Sequence, residues 1–332
     1  MENKEKSGKE ELNKFNNDKK KPLIVLTGPT AVGKTKLSIA LSKAVNGEII
    51  SADSMQVYKH MNIGSAKITI EEMQGVPHHL IDVFEPWDEF NVVVFQQKCK
   101  EAMETIYRRG HIPILTGGTG FYIQAVLKDI DFTENEEGSP YRAELEQLAR
   151  ERGAEYLHDR LREVDQASAE AIHPNNIKRC IRALEFYKLT GKKISDHNES
   201  EKQKRSPYNF CYFVLNDNRE KLYARIEERI DEMLSNGLIE EVQQLKDMGC
   251  HRGLVSMQGL GYKEMLAYLE GDLSLEEAVY LLKRDTRHFA KRQLTWFRRE
   301  EDVIWVDKDK FGYDDNVILQ YMLEKLKMQN IV

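Results

Sequence analysis

The stretch Pro22-Leu23-Ile24-Val25-Leu26-Thr27-Gly28-Pro29-Thr30-Ala31-Val32-Gly33-Lys34-Thr35 decides the fold. Its first six residues form a short, β-rich apolar run. The next eight match the pattern G-x-x-x-x-G-K-S/T at every defined position. Leu37, Ala40, Leu41 and Ala44 follow at helical spacing within Lys36 to Val45. Strand, glycine loop and helix in this order separate a phosphate loop from a chance glycine-rich turn. The backbone N–H groups of Gly28, Pro29 excepted, through Thr30, Ala31, Val32, Gly33, Lys34 and Thr35 are suited to cradle phosphate oxygens. Lys34 adds charge, Thr35 a hydroxyl for Mg²⁺, and the helix its positive N-terminal end.

Working outward, Glu48 to Ser51 reads as a second strand that ends at Ala52-Asp53-Ser54. Phe90 to Arg109 reads as a helix with Phe95, Cys99, Met103 and Ile106 on one face and Gly110 as its stop. His111 to Thr116 reads as a third strand running into Gly117-Gly118-Thr119-Gly120. Strands alternating with helices predict an α/β protein with a parallel sheet. In such sheets ligands lie at the carboxyl ends of the strands. From Tyr141 to about Lys193 the pattern is helical, residues 195–207 are polar and loop-like, and Tyr208 to Leu215 returns to strand. Helices are expected over Glu220 to Asn236, Ile239 to Met248 and Glu276 to Arg299. The expected organisation is a disordered tail over 1–21, an α/β core over 22–130 and 207–332, and an all-helical insertion over 131–206.

The chain has 332 residues, 41% hydrophobic and 31% charged, with a net charge of −6, so any nucleic-acid site must be a local basic cluster. Cys99, Cys180, Cys211 and Cys250 are far apart and form no CxxC pair, which fits a reducing cytoplasm better than a zinc site or a disulfide framework. No apolar run approaches the ~18 residues of a membrane span, and residues 1–21 lack the apolar core of a secretory signal. Lys19, Lys20 and Lys21 either touch RNA or are simply solvated.

An ATP user would carry an apolar strand ending in Asp to hold Mg²⁺. Here the third strand ends in glycines instead. Asp53, at the end of the second strand, is a magnesium ligand, a general base, or a turn cap with Ser54. Lys283 to Arg299 holds seven basic residues and one acid, with Phe289, Trp296 and Phe297 among them. Cations interleaved with aromatics suit phosphate neutralisation plus base stacking. The plainer reading is a solvated face backed by a core stripe. Asn176 to Arg182, with Arg179 and Arg182 three apart, and Gly259 to Lys263 are candidates for backbone phosphates or for plain surface.

Seven segments, GPTAVGKT, SADSMQVYKHMNIGSAK, PHHLID, PILTGGTGFY, RALEFYKLTGK, GLGYKEM and KRQLTWF, resemble the tRNA dimethylallyltransferase (tRNA isopentenyltransferase) family, in one order from about residue 22 to 310. The resemblance implies a P-loop NTPase-like parallel sheet flanked by helices, with the all-helical insertion contacting tRNA. It also implies transfer of a dimethylallyl group from dimethylallyl diphosphate to N6 of the adenine 3′-adjacent to the anticodon, in tRNAs reading codons that begin with U, with Mg²⁺ as cofactor. The loop would then hold a diphosphate, which accounts for the absent magnesium strand. Carried over by position, Asp53 is the general base, Thr119 lies near the base, and Arg225, in YARIEERI, steadies the diphosphate. Lys34 is the charge clamp, and Thr35 stands near the metal. The RNA-contacting segments would be Asp53, Ser54, Met55 and Gln56; Lys178, Arg179, Cys180, Ile181 and Arg182; Gln258, Gly259, Leu260, Gly261, Tyr262 and Lys263; and Lys291, Arg292, Gln293, Leu294, Thr295, Trp296, Phe297 and Arg298. Lys178-Arg179 stands where many members have Gln-Arg, and Gln258-Gly259 where some have Arg-Cys. No zinc finger follows residue 310, so a bacterial-type, monomeric form acting on the anticodon stem-loop is expected. The competing classes are a P-loop kinase for a small metabolite, disfavoured by the absent magnesium strand and the basic helix, and a nucleotide-gated RNA binder, disfavoured by Asp53 beside the cradle.

Overall fold

A computed structural model describes residues 20–132 and 139–332. Six strands form one sheet: β1 (Pro22–Thr27), β2 (Gly47–Ser51), β3 (His78–His79), β4 (Ile112–Gly117), β5 (Asn209–Asn216) and β6 (Val303–Asp307). Their order is β3-β2-β4-β1-β5-β6, and every pairing is parallel. β1 is central, and Leu23, Ile24, Val25 and Leu26 are fully buried. A strand covered on both faces reads as a continuous apolar run rather than an alternating one. The register aligns Thr27 with Gly117 and with Val214, and Ser51 with Thr116. The loops after β1, β2 and β4 therefore emerge side by side, as a P-loop NTPase-like α/β fold requires.

The helices of the core are α1 (Lys34–Val45), α2 (Ile70–Met73), α3 (Val92–Arg108) and α4 (Gly120–Leu127). In α3, Asn91 caps the N–H groups of Val93 and Val94, and Phe95, Cys99, Met103 and Ile106 are buried against the sheet. The chain divides into two compact units, the helical one being Lys128–Ser206. It contains α5 (Pro140–Arg152), α6 (Ala154–Val164), α7 (Gln166–Ala171), α8 (Ile177–Thr190) and α9 (Ile194–Gln203). Leu145, Leu157, Leu161, Ala169, Cys180, Ile181 and Leu184 form its core. Asp165 accepts from the N–H of Ser168 at 3.0 Å and that of Ser195 at 3.0 Å, tying α7 to the start of α9. The remaining helices of the core unit are α10 (Arg219–Ser235), α11 (Leu238–Asp247), α12 (Tyr262–Leu269), α13 (Leu275–Phe297) and α14 (Asp315–Met328).

Four sequence expectations need correction. Residues 195–207 are not a loop: α9 occupies most of them, and its single buried residue is Glu201, so no apolar stripe marks it. The strand expected third is fourth in the chain, because His78–His79 forms a short edge strand. β6 and α14 extend the fold beyond the last expected helix. Most of the expected tail, residues 1–19, lies outside the described residues, as do 133–138 of the expected insertion. Lys21, however, belongs to the core: its carbonyl accepts from the Asn209 N–H at 3.0 Å, and its ammonium pairs with Glu104 at 2.6 Å. No helix among the described residues is long and apolar enough to cross a membrane.

Candidate active site

Residues 28–35 turn from β1 into α1, with Ala31 at φ 61° and Gly33 at φ 95° in the left-handed region. The Lys34 ammonium donates to the carbonyls of Gly28 at 3.0 Å and Pro29 at 2.8 Å. Burial lowers its pKa to about 7; Arg229 adds repulsion in the same direction, and Asp53 opposes both. Thus the clamp lysine, the carboxylate at the end of β2 and Arg229 act on one another in a single electrostatic site.

Two arginines on one face of α10, four residues apart, reach this loop. Arg225 donates through Nε to the Ala31 carbonyl at 3.0 Å, and its Nη2 pairs with the fully buried carboxylate of Asp217. Asp217 also accepts from the Tyr313 hydroxyl at 3.0 Å, so the guanidinium is held from behind. Arg229 donates to the Thr30 hydroxyl at 3.3 Å. Burial holds its pKa below the usual arginine value. The sequence reading missed Arg229, although its spacing from Arg225 in YARIEERI was a usable signal. It also missed Lys308, which follows β6. A Cβ on Gly33 would stand 3.1 Å from the Lys308 ammonium, which also pairs with Asp315 at 3.4 Å.

On the other side of the site, the Ala52 N–H donates to the Thr116 carbonyl at 2.8 Å, and the Thr119 N–H donates to the Ala52 carbonyl at 3.2 Å. These bonds set Asp53 and Thr119 on adjoining loops. A Cβ on Gly117 would come within 2.2 Å of the Ala52 oxygen, so only glycine permits this approach. Asp53 does cap a turn: Oδ1 accepts from the N–H of Met55 at 2.8 Å and that of Gln56 at 3.4 Å. Its Oδ2 has no hydrogen bond among the described residues. Gln56 is tied inward, with Oε1 accepting from the Ser51 hydroxyl at 3.1 Å and Nε2 donating to the Ala66 carbonyl at 3.2 Å. Thr35 is exposed at the start of α1. A hydroxyl there and a carboxylate nearby are hard oxygen donors of the kind Mg²⁺ takes, with substrate phosphates and water supplying the rest.

The segments expected to meet RNA divide by burial. In α13 and at its C-cap, Lys291, Arg292, Thr295 and Arg298 are exposed, whereas Gln293 is 5% exposed and Phe297 is fully buried. The side chains of Gln293 and Phe297 therefore belong to the interior, a correction to the sequence expectation. Leu294 and Trp296 are half-buried, and Trp296 lines a shallow groove with His288, Lys291, Arg292, Thr295 and Arg299. Three of the seven cations are already neutralised: Lys283 by Asp231, Arg284 by Asp285 and Arg287 by Glu227. Cys180 and Ile181 are core residues of the helical unit, and their neighbours Lys178, Arg179 and Arg182 are the exposed ones. Tyr262 is likewise interior, its hydroxyl donating to Glu241 at 2.8 Å. Around it Gln258 is exposed, Gly259, Leu260 and Lys263 half-exposed, and Gly261 buried. Ser54 and Met55 are half-buried beside Asp53.

A parallel sheet whose first strand runs through a lysine-bearing glycine loop into a helix, with a carboxylate at the end of β2, defines an α/β protein of P-loop NTPase-like fold. The description IPP transferase matches residues 56–300, and Isopentenyl transferase matches residues 21–83. The chain is 63% identical over 311 residues to the tRNA dimethylallyltransferase of Lachnoclostridium phytofermentans, covering 94% of this chain and 99% of that one. The crystal structure of the full-length tRNA isopentenylpyrophosphate transferase from Bacillus halodurans is similar at 46% identity and a TM-score of 0.70, covering 94% of this chain and 98% of that one. A eukaryotic dimethylallyltransferase caught acting on tRNA is similar at 30% identity and a TM-score of 0.78, covering 93% of this chain and 80% of that one. The chain belongs to the IPP transferase family, and with it to the tRNA dimethylallyltransferases, enzymes of the prenyl-transfer class.

Proposed function

We propose that this enzyme transfers the dimethylallyl group of dimethylallyl diphosphate to N6 of the adenine 3′-adjacent to the anticodon, in tRNAs reading codons that begin with U. The product is N6-isopentenyladenosine. The observation that carries this reading is geometric: the ends of β1, β4 and β2 lie side by side, so Asp53 stands across from the loop that Arg225 and Arg229 contact and that bears Lys34. A carboxylate that close to a diphosphate cradle is placed for a nucleophile attacking the carbon the diphosphate leaves.

The N6 lone pair forms the new C–N bond to the allylic C1 as the C1–O bond breaks, and diphosphate departs with the bonding pair. Asp53 takes the N6 proton through Oδ2, since Oδ1 is engaged with its own turn. Lys34, Arg229 and Arg225 bind the diphosphate and stabilise the charge that develops on it. The Thr35 hydroxyl would hold Mg²⁺, and the ion would supply further charge neutralisation for the departing diphosphate. Thr119 lines the acceptor side. The target adenine leaves its stack to reach the site, at a cost of a few kcal/mol that is least in a loop. The exposed cations of α13, Lys291, Arg292 and Arg298, together with Lys178, Arg179 and Arg182 in the helical unit, meet the phosphates of the anticodon stem-loop. A monomer working in the cytoplasm is part of the same reading.

The test is Asp53→Asn, assayed for tRNA binding and for transfer. The variant keeps both substrates bound and loses transfer by about 10²–10⁴-fold, the usual worth of a positioned base. Wild-type turnover in the variant would remove the base role. Transfer of the γ-phosphate of ATP in place of the allyl group would favour a kinase.

A further inference from the structure

Gln293 projects inward from α13 into the gap between two loops that the sheet leaves unjoined. Its Oε1 accepts from the Thr30 N–H at 2.9 Å, and its Nε2 donates to the Gly118 carbonyl at 3.0 Å. Thr30 lies in the loop after β1 and Gly118 in the loop after β4. The parallel ladder between these strands ends at Thr27 and Gly117. Past that point, among the described residues, the Gln293 amide is the side chain that spans both loops. A Cβ on Gly118 would stand 2.2 Å from Gln293 Nε2, so the amide fills the space that glycine leaves. One turn further along α13, Trp296 stands 2.2 Å from where a Cβ on Gly120 would be. The same helix face therefore presses on the second glycine loop twice.

We infer that Gln293 is a positioning residue that fixes the separation between the diphosphate cradle and the acceptor side of the site. The inference rests on the proposed function. Its bond to Thr30 holds the cradle from outside, and its bond to Gly118 holds the loop whose next residue, Thr119, is joined to the Asp53 strand end through Ala52. Reacting atoms in a displacement must stand close and aligned, and a displacement of about 1 Å reduces turnover about 100-fold. A neutral amide performs both tasks at every pH. An ionised carboxylate accepts from Thr30 but sets two acceptors face to face at Gly118, and a hydrocarbon satisfies neither loop.

The test compares Gln293→Met and Gln293→Glu with the wild type. The measurements are kcat and KM for each substrate from pH 6 to 9, binding of dimethylallyl diphosphate without tRNA, and hydrogen exchange of residues 28–35 and 117–120. Expected for Gln293→Met is a kcat about 100-fold lower, with the KM for tRNA within a few-fold and faster exchange in both loops. Gln293→Glu loses kcat similarly at high pH and recovers as pH falls, because the protonated acid regains a donor for Gly118. An RNA-contacting residue would not give that pH-dependent recovery, and a purely structural one would not change kcat while the fold and the KM for tRNA are kept. Unchanged kcat in both variants, or a rise confined to the KM for tRNA, overturns the inference. If the wild type itself transfers nothing to tRNA, the functional reading fails, and unchanged exchange in both loops then refutes the tie separately. Should Gln293→Met not fold, Gln293→Glu, which keeps one hydrogen bond, carries the comparison.

Discussion

The low pKa of Lys34 makes donor binding a proton-uptake reaction. The ammonium sits under two loop carbonyls, where burial and then Arg229 bring its pKa to about 7 against the weaker pull of Asp53. A diphosphate in the cradle brings several negative charges beside it and holds the ammonium in its charged form. Above pH 7 the free enzyme must therefore take a proton from water as it binds the donor. From pH 7 to 9 the protonated fraction falls from about one half to about one hundredth, so affinity weakens by one to two orders of magnitude, about 2 kcal/mol at 1.36 kcal/mol per tenfold change. Calorimetric titration of dimethylallyl diphosphate at pH 9, in two buffers of different ionisation enthalpy, reads the uptake directly as about one proton per site. The Lys34→Arg variant, charged throughout this range, should bind with no such pH dependence. Wild-type affinity that stays flat from pH 7 to 9 without proton uptake would rule out titration of Lys34 as the cause.

Replacing Arg229 by Met should weaken donor binding about 10- to 100-fold, the worth of a charge-assisted contact, and should move the Lys34 titration to higher pH, seen as an upward shift of the affinity profile. At the opposite end of the sheet, Glu48 is fully buried. Burial alone would raise its pKa, but hydrogen bonds from His79 at 2.6 Å, His111 at 2.7 Å and Arg109 at 3.1 Å outweigh it and hold the carboxyl below its ordinary value. Its contribution to stability is therefore complete above the ordinary carboxyl range and is lost as pH falls through the lowered folded-state value; Glu48→Gln should melt lower at neutral pH and lose less on acidification than the wild type in a thermal-shift series. Leu161→Ala in the helical unit should cost about 2–5 kcal/mol and speed hydrogen exchange across residues 139–203, while donor binding by the P-loop unit persists.

The parts legible in the sequence are those whose cause is local. GPTAVGKT reports its own strand, turn and helix, and the buried strands around it are continuous apolar runs because both faces are covered. Asp53 stands out as a candidate because it follows the end of β2, whereas Thr119 enters only through the family resemblance. The parts that escaped depend on distant neighbours. Helix α9, ISDHNESEKQ, carries no apolar stripe, and what holds its start is the Asp165 carboxylate thirty residues earlier. Gln293 sits among cations in a segment that reads as an RNA-facing helix, and only its partners Thr30 and Gly118, far away in sequence, turn it inward. Cys180, Ile181, Tyr262 and Phe297 were swept into basic segments by adjacency, although helical periodicity puts them on the buried face. The basic helix itself was overcounted, because Asp231 and Glu227, which neutralise two of its cations, come from α10.

In the proposed reaction one site holds a prenyl diphosphate and delivers its carbon skeleton to an RNA base. The direct measurement is mass spectrometry of nucleosides released from tRNA after incubation with the protein, Mg²⁺ and dimethylallyl diphosphate. The expected result is an isopentenyl group on the adenosine 3′ to the anticodon, and its absence with Asp53→Asn. Unmodified adenosine at that position with the wild-type protein, under conditions where both substrates bind, would contradict it.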